Sequence, residues 1–265
     1  MKIKDQLHNE LILANVPKRI ISLVPSQTEL LVALGLENQL VGITKFCIHP
    51  AHLKQHKTVV GGTKNVDLKK IAMLHPDIII CNKEENTQEL VEKLRPIAPV
   101  YISDIYTIND TLEMITSFGV IFKSETTAQK IINQIKLKHS DFQTFIKQYP
   151  SKKVAYFIWS KPWMVAGASN FINTLLELNK FENCYINKGR YPEIELTSLK
   201  SLAPDLVLLS SEPFPFKEIH ALQIKEYTNA KIIYVDGELF SWYGSRLLSS
   251  FDYFKKLHYS LDKPE

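Results

Sequence analysis

The chain is expected to be an α/β protein of two Rossmann-like lobes, each built on a parallel sheet. A long backbone helix should join them, with a ligand cleft between the lobes. Three observations predict this. Short β-branched runs alternate with short helical stretches along the chain, which is the pattern of parallel sheets with helical crossovers. One phrase is written twice: "NVDLKKIAMLHPDIIICNKEE" and "EIELTSLKSLAPDLVLLSSEP" both run acid, short helix, Pro-Asp, apolar run, polar stop. Pro76 and Pro204 lie 128 positions apart, as do Asp67 and Glu195. A long amphipathic stretch separates the two copies. The expected divisions are a first lobe at 1–106, a helical spine at 107–150 and a second lobe at 151–265.

The elements follow in order. "RIISLV" (Arg19–Val24) reads as a buried parallel strand. Ser26 and Glu29 have the spacing of a capping box, with Leu30, Leu31 and Leu34 behind them and Gly35 as the stop. "LVGI" (Leu40–Ile43) is the next strand. "VDLKKIAMLHP" is a short helix, "DIIICN" a strand, "ENTQELVEKLRPI" a helix, and "PVYIS" (Pro99–Ser103) the last strand of the first lobe. Asp110 and Glu113 suggest a second capping box. A helix over about 124–148 follows, with Ala128, Ile131, Ile132, Ile135, Phe142, Phe145 and Ile146 on one face. At 1.5 Å per residue it would be roughly 35 Å long, and Pro150 ends it. The second lobe repeats the order with "KVAYFIW", the helix "SNFINTLLELNKFEN", "LTSLKSLAP", "DLVLLS", "AKIIYVD" and a closing helix "GSRLLSSFDYFKKLHYSL". "LLVALGLEN" and "LLELNKFEN" add a further internal match.

Composition narrows the function. The chain of 265 residues is 45% hydrophobic and carries a net charge of +4, with no block of five like charges, so no nucleic-acid partner is expected. Three scattered cysteines give neither a disulfide framework nor a zinc knuckle, and their odd number suits a reducing compartment. No apolar stretch reaches the length of a transmembrane segment. "MKIKDQLHNELILANVPKR" is interrupted by polar Asp5–Glu10 where a signal peptide needs an unbroken apolar core. The expected location is therefore cytoplasmic, or periplasmic if the N-terminus is trimmed or misassigned. The dinucleotide, P-loop and nucleophile-elbow motifs are absent, and no catalytic residue or metal ligand is assigned.

Candidate binding residues come from the loops that follow strands, where open α/β sheets bind ligands. Ser26 sits at a helix N-terminus, whose N–H groups suit an anionic or carbonyl group. Phe46 and His49 lie after the second strand. His49, His52 and His56 would share one face of a helix starting at Pro50, but Lys54 and Lys57 oppose a metal there. Glu84 either caps the next helix or faces the ligand. Trp163 stands on a proline turn, whereas Trp159 at the strand end reads as core. Arg190 and Tyr191 precede Pro192, while Trp242, Tyr243 and Arg246 fill "LFSWYGSRLL". Aromatic faces with an arginine suit a large planar ligand with polar edges.

From Lys18 to about Leu257 the chain resembles the class III substrate-binding proteins of ABC transporters, and within them the cobalamin-binding branch. The likeness is carried by "RIISLVPSQTELLVALGL", "NVDLKKIAMLHPDIII", the spine, "GRYPEIELTSLKSLAPDLVLL" and "LFSWYGSRLL". It implies capture of a cobalamin-like corrinoid or ferric chelate, no covalent cofactor, hand-over to an ABC permease, and a monomer. The family's exposed glutamates fall on Lys69 and Thr197, and its two corrinoid-flanking tryptophans fall near Thr63 and on Tyr191. The alternatives are a cytoplasmic carrier or sensor of the same ligand class without a permease, and a two-lobe cleft enzyme.

Overall fold

The β-branched runs become strands of two separate parallel sheets in the computed structural model, which describes residues 1–262. The chain divides into two units. One is Met1–Lys136 with Tyr243–Arg246; the other is Leu137–Trp242 with the segment from Leu247.

The first unit opens with an antiparallel hairpin, β1 (Lys2–Lys4) and β2 (Glu10–Ile12). It continues through β3 (Ile20–Ser22), α1 (Pro25–Ala33), β4 (Leu40–Ile43), α2 (Leu53–His56), β5 (Thr58–Val59), α3 (Leu68–Met73), β6 (Ile78–Asn82), α4 (Gln88–Leu94), β7 (Val100–Ser103), α5 (Ile108–Phe122) and α6 (Glu125–Phe145). The parallel sheet has the order β5-β4-β3-β6-β7. Its central strands β3 and β6 are fully buried, as their unbroken apolar runs require. The turn of this hairpin, in the polar Asp5–Glu10 stretch, covers an edge. Gln6 N–H donates to Ile102 O at 3.2 Å, and Asp5 Oδ2 accepts from Ile102 N–H at 3.3 Å, so the outer side of β7 is occupied.

The second unit carries β8 (Lys152–Trp159), β9 (Met164–Val165), α7 (Phe171–Leu178), β10 (Phe181–Asn183), α8 (Ser198–Leu202), β11 (Leu206–Ser210), α9 (Glu218–Lys225), β12 (Lys231–Val235), α10 (Gly237–Ser241) and α11 (Leu247–Leu261). The sheet order is β10-β8-β11-β12, with β9 antiparallel to β8. One face packs Phe157, Leu199, Val207, Leu209 and Ile224. Beside it, α6 and α11 share a ring cluster of Phe142, Phe145, Phe251, Phe254 and His258.

The repeated phrase has one structural job in each unit. Asp77 Oδ2 accepts from the backbone N–H of Lys18 and Arg19 at 2.8 and 2.9 Å, and Asp77 N–H donates to Arg19 O. Asp205 Oδ2 accepts from Lys153 N–H at 2.7 Å, and Asp205 N–H donates to Lys153 O. Each Pro-Asp thus fastens the start of one strand to the start of its neighbour. The preceding residues, His75 and Ala203, both take left-handed backbone at φ 43°.

Several elements differ from the sequence reading. Helix α1 begins at Pro25, with Val24 as its N-cap, so Ser26 lies inside the first turn and forms no capping box with Glu29. Proline lacks an N–H and presets helical φ, which moves the start one residue earlier. At α5 the capping box is made by Thr107 and Asp110, because Thr107 has the extended backbone that a cap needs. Strand β10 emerges from what reads as the end of a helix. Left-handed Lys180, at φ 55°, stops α7, and Phe181–Asn183 then pairs with β8. The long helix stops at Phe145 after 21 residues, roughly 31 Å, and a 3-10 turn finishes the segment. Its approach to α5 is close: a Cβ on Gly119 would stand 2.9 Å from that of Ala128, so only glycine fits without a shift.

Candidate functional site

In the first unit the loops at the carboxyl ends of β3, β4, β6 and β7 rest on buried polar groups. Gln27 Nε2 donates to Ser103 Oγ and, at 3.0 Å, to Tyr243 OH. Asn82 Nδ2 also reaches Ser103 Oγ at 3.0 Å. Asn82 Oδ1 accepts from the N–H groups of Glu84 and Glu85 at 2.8 and 3.2 Å, which shapes that loop. Glu84 therefore lies in a turn, and the next helix is capped by Thr87. Ser26 is buried at the first turn of α1.

The loop after β4 presents an aromatic ring. Phe46 is 49% exposed, and Lys45 Nζ stands 5.0 Å from its centroid. Its neighbour Cys47 is buried and fixes the loop, with its thiol 3.1 and 3.3 Å from the hydroxyls of Thr28 and Thr44. Burial pushes that thiol's pKa up, so it is an inert anchor rather than a nucleophile. His49 is half-buried in the same loop. The three-histidine helix face does not form, because α2 covers only Leu53–His56 and His52 Nε2 pairs with Glu37 Oε1 at 2.8 Å. Among the described residues no cluster of His, Cys, Asp or Glu could hold a metal ion. Beside β7, Lys83 Nζ bonds Asp104 at 2.7 Å and lies over the Tyr106 ring; the hydrogen bond to Asp104 raises its pKa.

The "SWYGSR" loop is divided between the units. Tyr243 is buried against Gln27, and desolvation pushes its phenol pKa far up. Arg246 Nε donates to Glu29 Oε2 at 2.9 Å, with Nη2 equally close to Oε1. Trp242, in the second unit, is buried and donates from Nε1 to Glu212 Oε1 at 2.9 Å. Each of these three residues, expected to face a ligand, makes a hydrogen bond within its own unit or loop.

In the second unit Trp163 is half-buried, stacked on Phe216 with an interplanar angle of 9° and edge-on to Phe157. Arg190 lies over the Tyr191 ring at 5.9 Å. Their loop is laid along the β9 segment: Gly167 N–H and Asn170 Nδ2 both donate to Arg190 O at 2.9 Å. Gly167 is obligatory there, because a Cβ would fall 2.0 Å from Gly189 O. Trp159 was read as core, yet it is 39% exposed at the end of β8 and meets Phe214 edge-on at 5.4 Å. The alternation of proline and aromatic residues in "WSKPW" and "EPFPF" was the available signal.

Residues 20–236 match the family described as periplasmic binding protein, and the chain belongs to that family. It is 22% identical over 258 residues to an uncharacterised ABC transporter substrate-binding lipoprotein of Bacillus subtilis, covering 93% of this chain and 81% of that protein. The periplasmic vitamin B12 binding protein of Vibrio cholerae superposes with a TM-score of 0.81 at 19% identity, over 94% of this chain and 99% of the other. A periplasmic haem binding protein of Pseudomonas aeruginosa gives a TM-score of 0.80 at 22% identity, over 94% and 95%. No helix among the described residues is long and apolar enough to cross a membrane.

Proposed function

We propose that the chain is the substrate-binding component of an ABC-type importer and captures a cobalamin-like corrinoid or a ferric chelate without covalent attachment. The observation that carries this reading is the exposed ring of Phe46, backed by Lys45, at the carboxyl edge of a parallel sheet in a chain of this family. In the same role we place His49, Glu84, Trp163 and the Arg190–Tyr191 pair. Flat aromatic faces cover the apolar area of such a ligand, and the cations meet its polar rim. Ser26, Trp242, Tyr243 and Arg246 support the loops from behind. The relatives' names favour an extracytoplasmic location over a cytoplasmic one, and hand-over to a permease completes the reading. A carrier without a permease is the second form of the same idea.

The test is titration of the full-length protein with cyanocobalamin, ferric protoporphyrin IX and a ferric catecholate, read by tryptophan fluorescence. Saturable quenching by one of them at micromolar concentration or below supports the reading, and a Phe46→Ala/Tyr191→Ala variant should weaken it at least tenfold. No quenching by any of the three would overturn it.

A further inference from the structure

We propose that Trp159 and Phe214 form a rigid platform on the second unit that takes one flat face of the ligand. The inference rests on the function proposed above and names a contact surface within it. Trp159 is the last residue of β8, and its neighbours Ile158 and Ser160 are only 9% and 4% exposed. Trp159 itself is 39% exposed. It lies edge-on to Phe214 at 5.4 Å, and Phe214 is edge-on to Phe216 and His220, both at 5.0 Å. Trp163 completes the stack against Phe216. Trp159 is thus the outermost ring of a packed aromatic series.

The two loops that carry it leave the carboxyl ends of paired strands, since Phe157 of β8 is in register with Leu209 of β11. A crevice at that edge is where parallel sheets bind ligands. Pro162, Pro213 and Pro215 are exposed around the two rings and fix the loop backbone. An apolar surface built this way is ordered before the ligand arrives, so little conformational entropy is lost on binding.

His220, edge-on to Phe214 at 5.0 Å, does not offer a metal ligand here, because its Nδ1 accepts from Lys217 N–H at 2.9 Å. That bond places the ring proton on Nε2, which then has no lone pair for a metal. The platform recognises the face of a planar organic chelate through its aromatic rings.

The experiment measures affinity from the ligand's own visible absorbance, using full-length protein and the three probes above. Trp159→Ala and Phe214→Ala should each weaken the probe that binds by about tenfold, in line with loss of an aromatic contact and its buried area. Trp159→Phe should stay within threefold of the wild type, because a flat face is restored. Far-UV circular dichroism and melting curves check that the variants fold. Affinity of Trp159→Ala within twofold of the wild type would overturn the platform while leaving the function intact. If wild-type protein binds none of the probes, the function falls and the platform with it.

Discussion

Asp77 and Asp205, 128 positions apart, make the same contact: each carboxylate holds the backbone N–H at the start of an adjacent strand. Each follows a proline, and each proline follows a residue in left-handed backbone. The turn, the proline and the acid form one unit that stops a short helix and starts a strand in register. The phrase is duplicated because both sheets need that start.

Removing the carboxylate should therefore destabilise without touching the ligand. Asp77→Ala loses two charge-assisted hydrogen bonds and should cost about 1–2 kcal/mol, and Asp205→Ala about 1 kcal/mol. The asparagine variants keep an acceptor and should lose roughly half as much. Urea midpoints measure both. An alanine variant with an unchanged midpoint would show that the contact does not secure the strand.

His258 should make the second unit acid-sensitive. It is buried among Phe142, Phe145, Tyr149 and Phe181, and its Nε2 lies 3.1 Å from Asn179 Oδ1. Burial lowers its pKa from 6.5 to about 4. Below pH 6.5 the unfolded chain takes up a proton that the folded chain refuses until about pH 4. Stability should fall across that window by up to a few kcal/mol, and His258→Gln should flatten the decline. Melting temperatures between pH 7 and pH 4 decide the matter.

Glu212 should respond in the opposite direction. Burial raises its carboxyl pKa above 4.5, while Ser241 Oγ at 2.7 Å and Trp242 Nε1 at 2.9 Å donate to it. The folded chain keeps that proton to higher pH than the unfolded one, so its contribution is present below pH 4.5 and lost as pH rises through the folded value. Glu212→Gln removes the buried charge and keeps an acceptor. At pH 7 it should match the wild type or gain up to about 1 kcal/mol. Glu212→Ala strands two donors and should lose about 1–3 kcal/mol. Chemical denaturation at pH 5 and pH 8 separates the three proteins.

Much of the fold was legible because apolar runs such as "DIIICN" and "DLVLLS" have one stable use, as buried parallel strands. Local signals failed where a tertiary partner decided the outcome. Phe181–Asn183 looks helical until Lys180 turns left-handed and β8 offers an edge. Glu29 has capping spacing but pairs with an arginine 217 positions away. The candidate site suffered in the same way. Trp159 ends a strand and Trp242 caps a short helix, and open surface beside the first and Glu212 beside the second separate their roles.

The placement of Tyr243–Arg246 in the first unit has a consequence for the ribosome. The amino-terminal unit cannot finish when its own strands have emerged, because Gln27 and Glu29 still lack Tyr243 and Arg246. Those partners emerge 216 and 217 positions later. A nascent chain arrested before residue 243 should therefore hold its first sheet in a looser, protease-sensitive form until Tyr243 and Arg246 emerge.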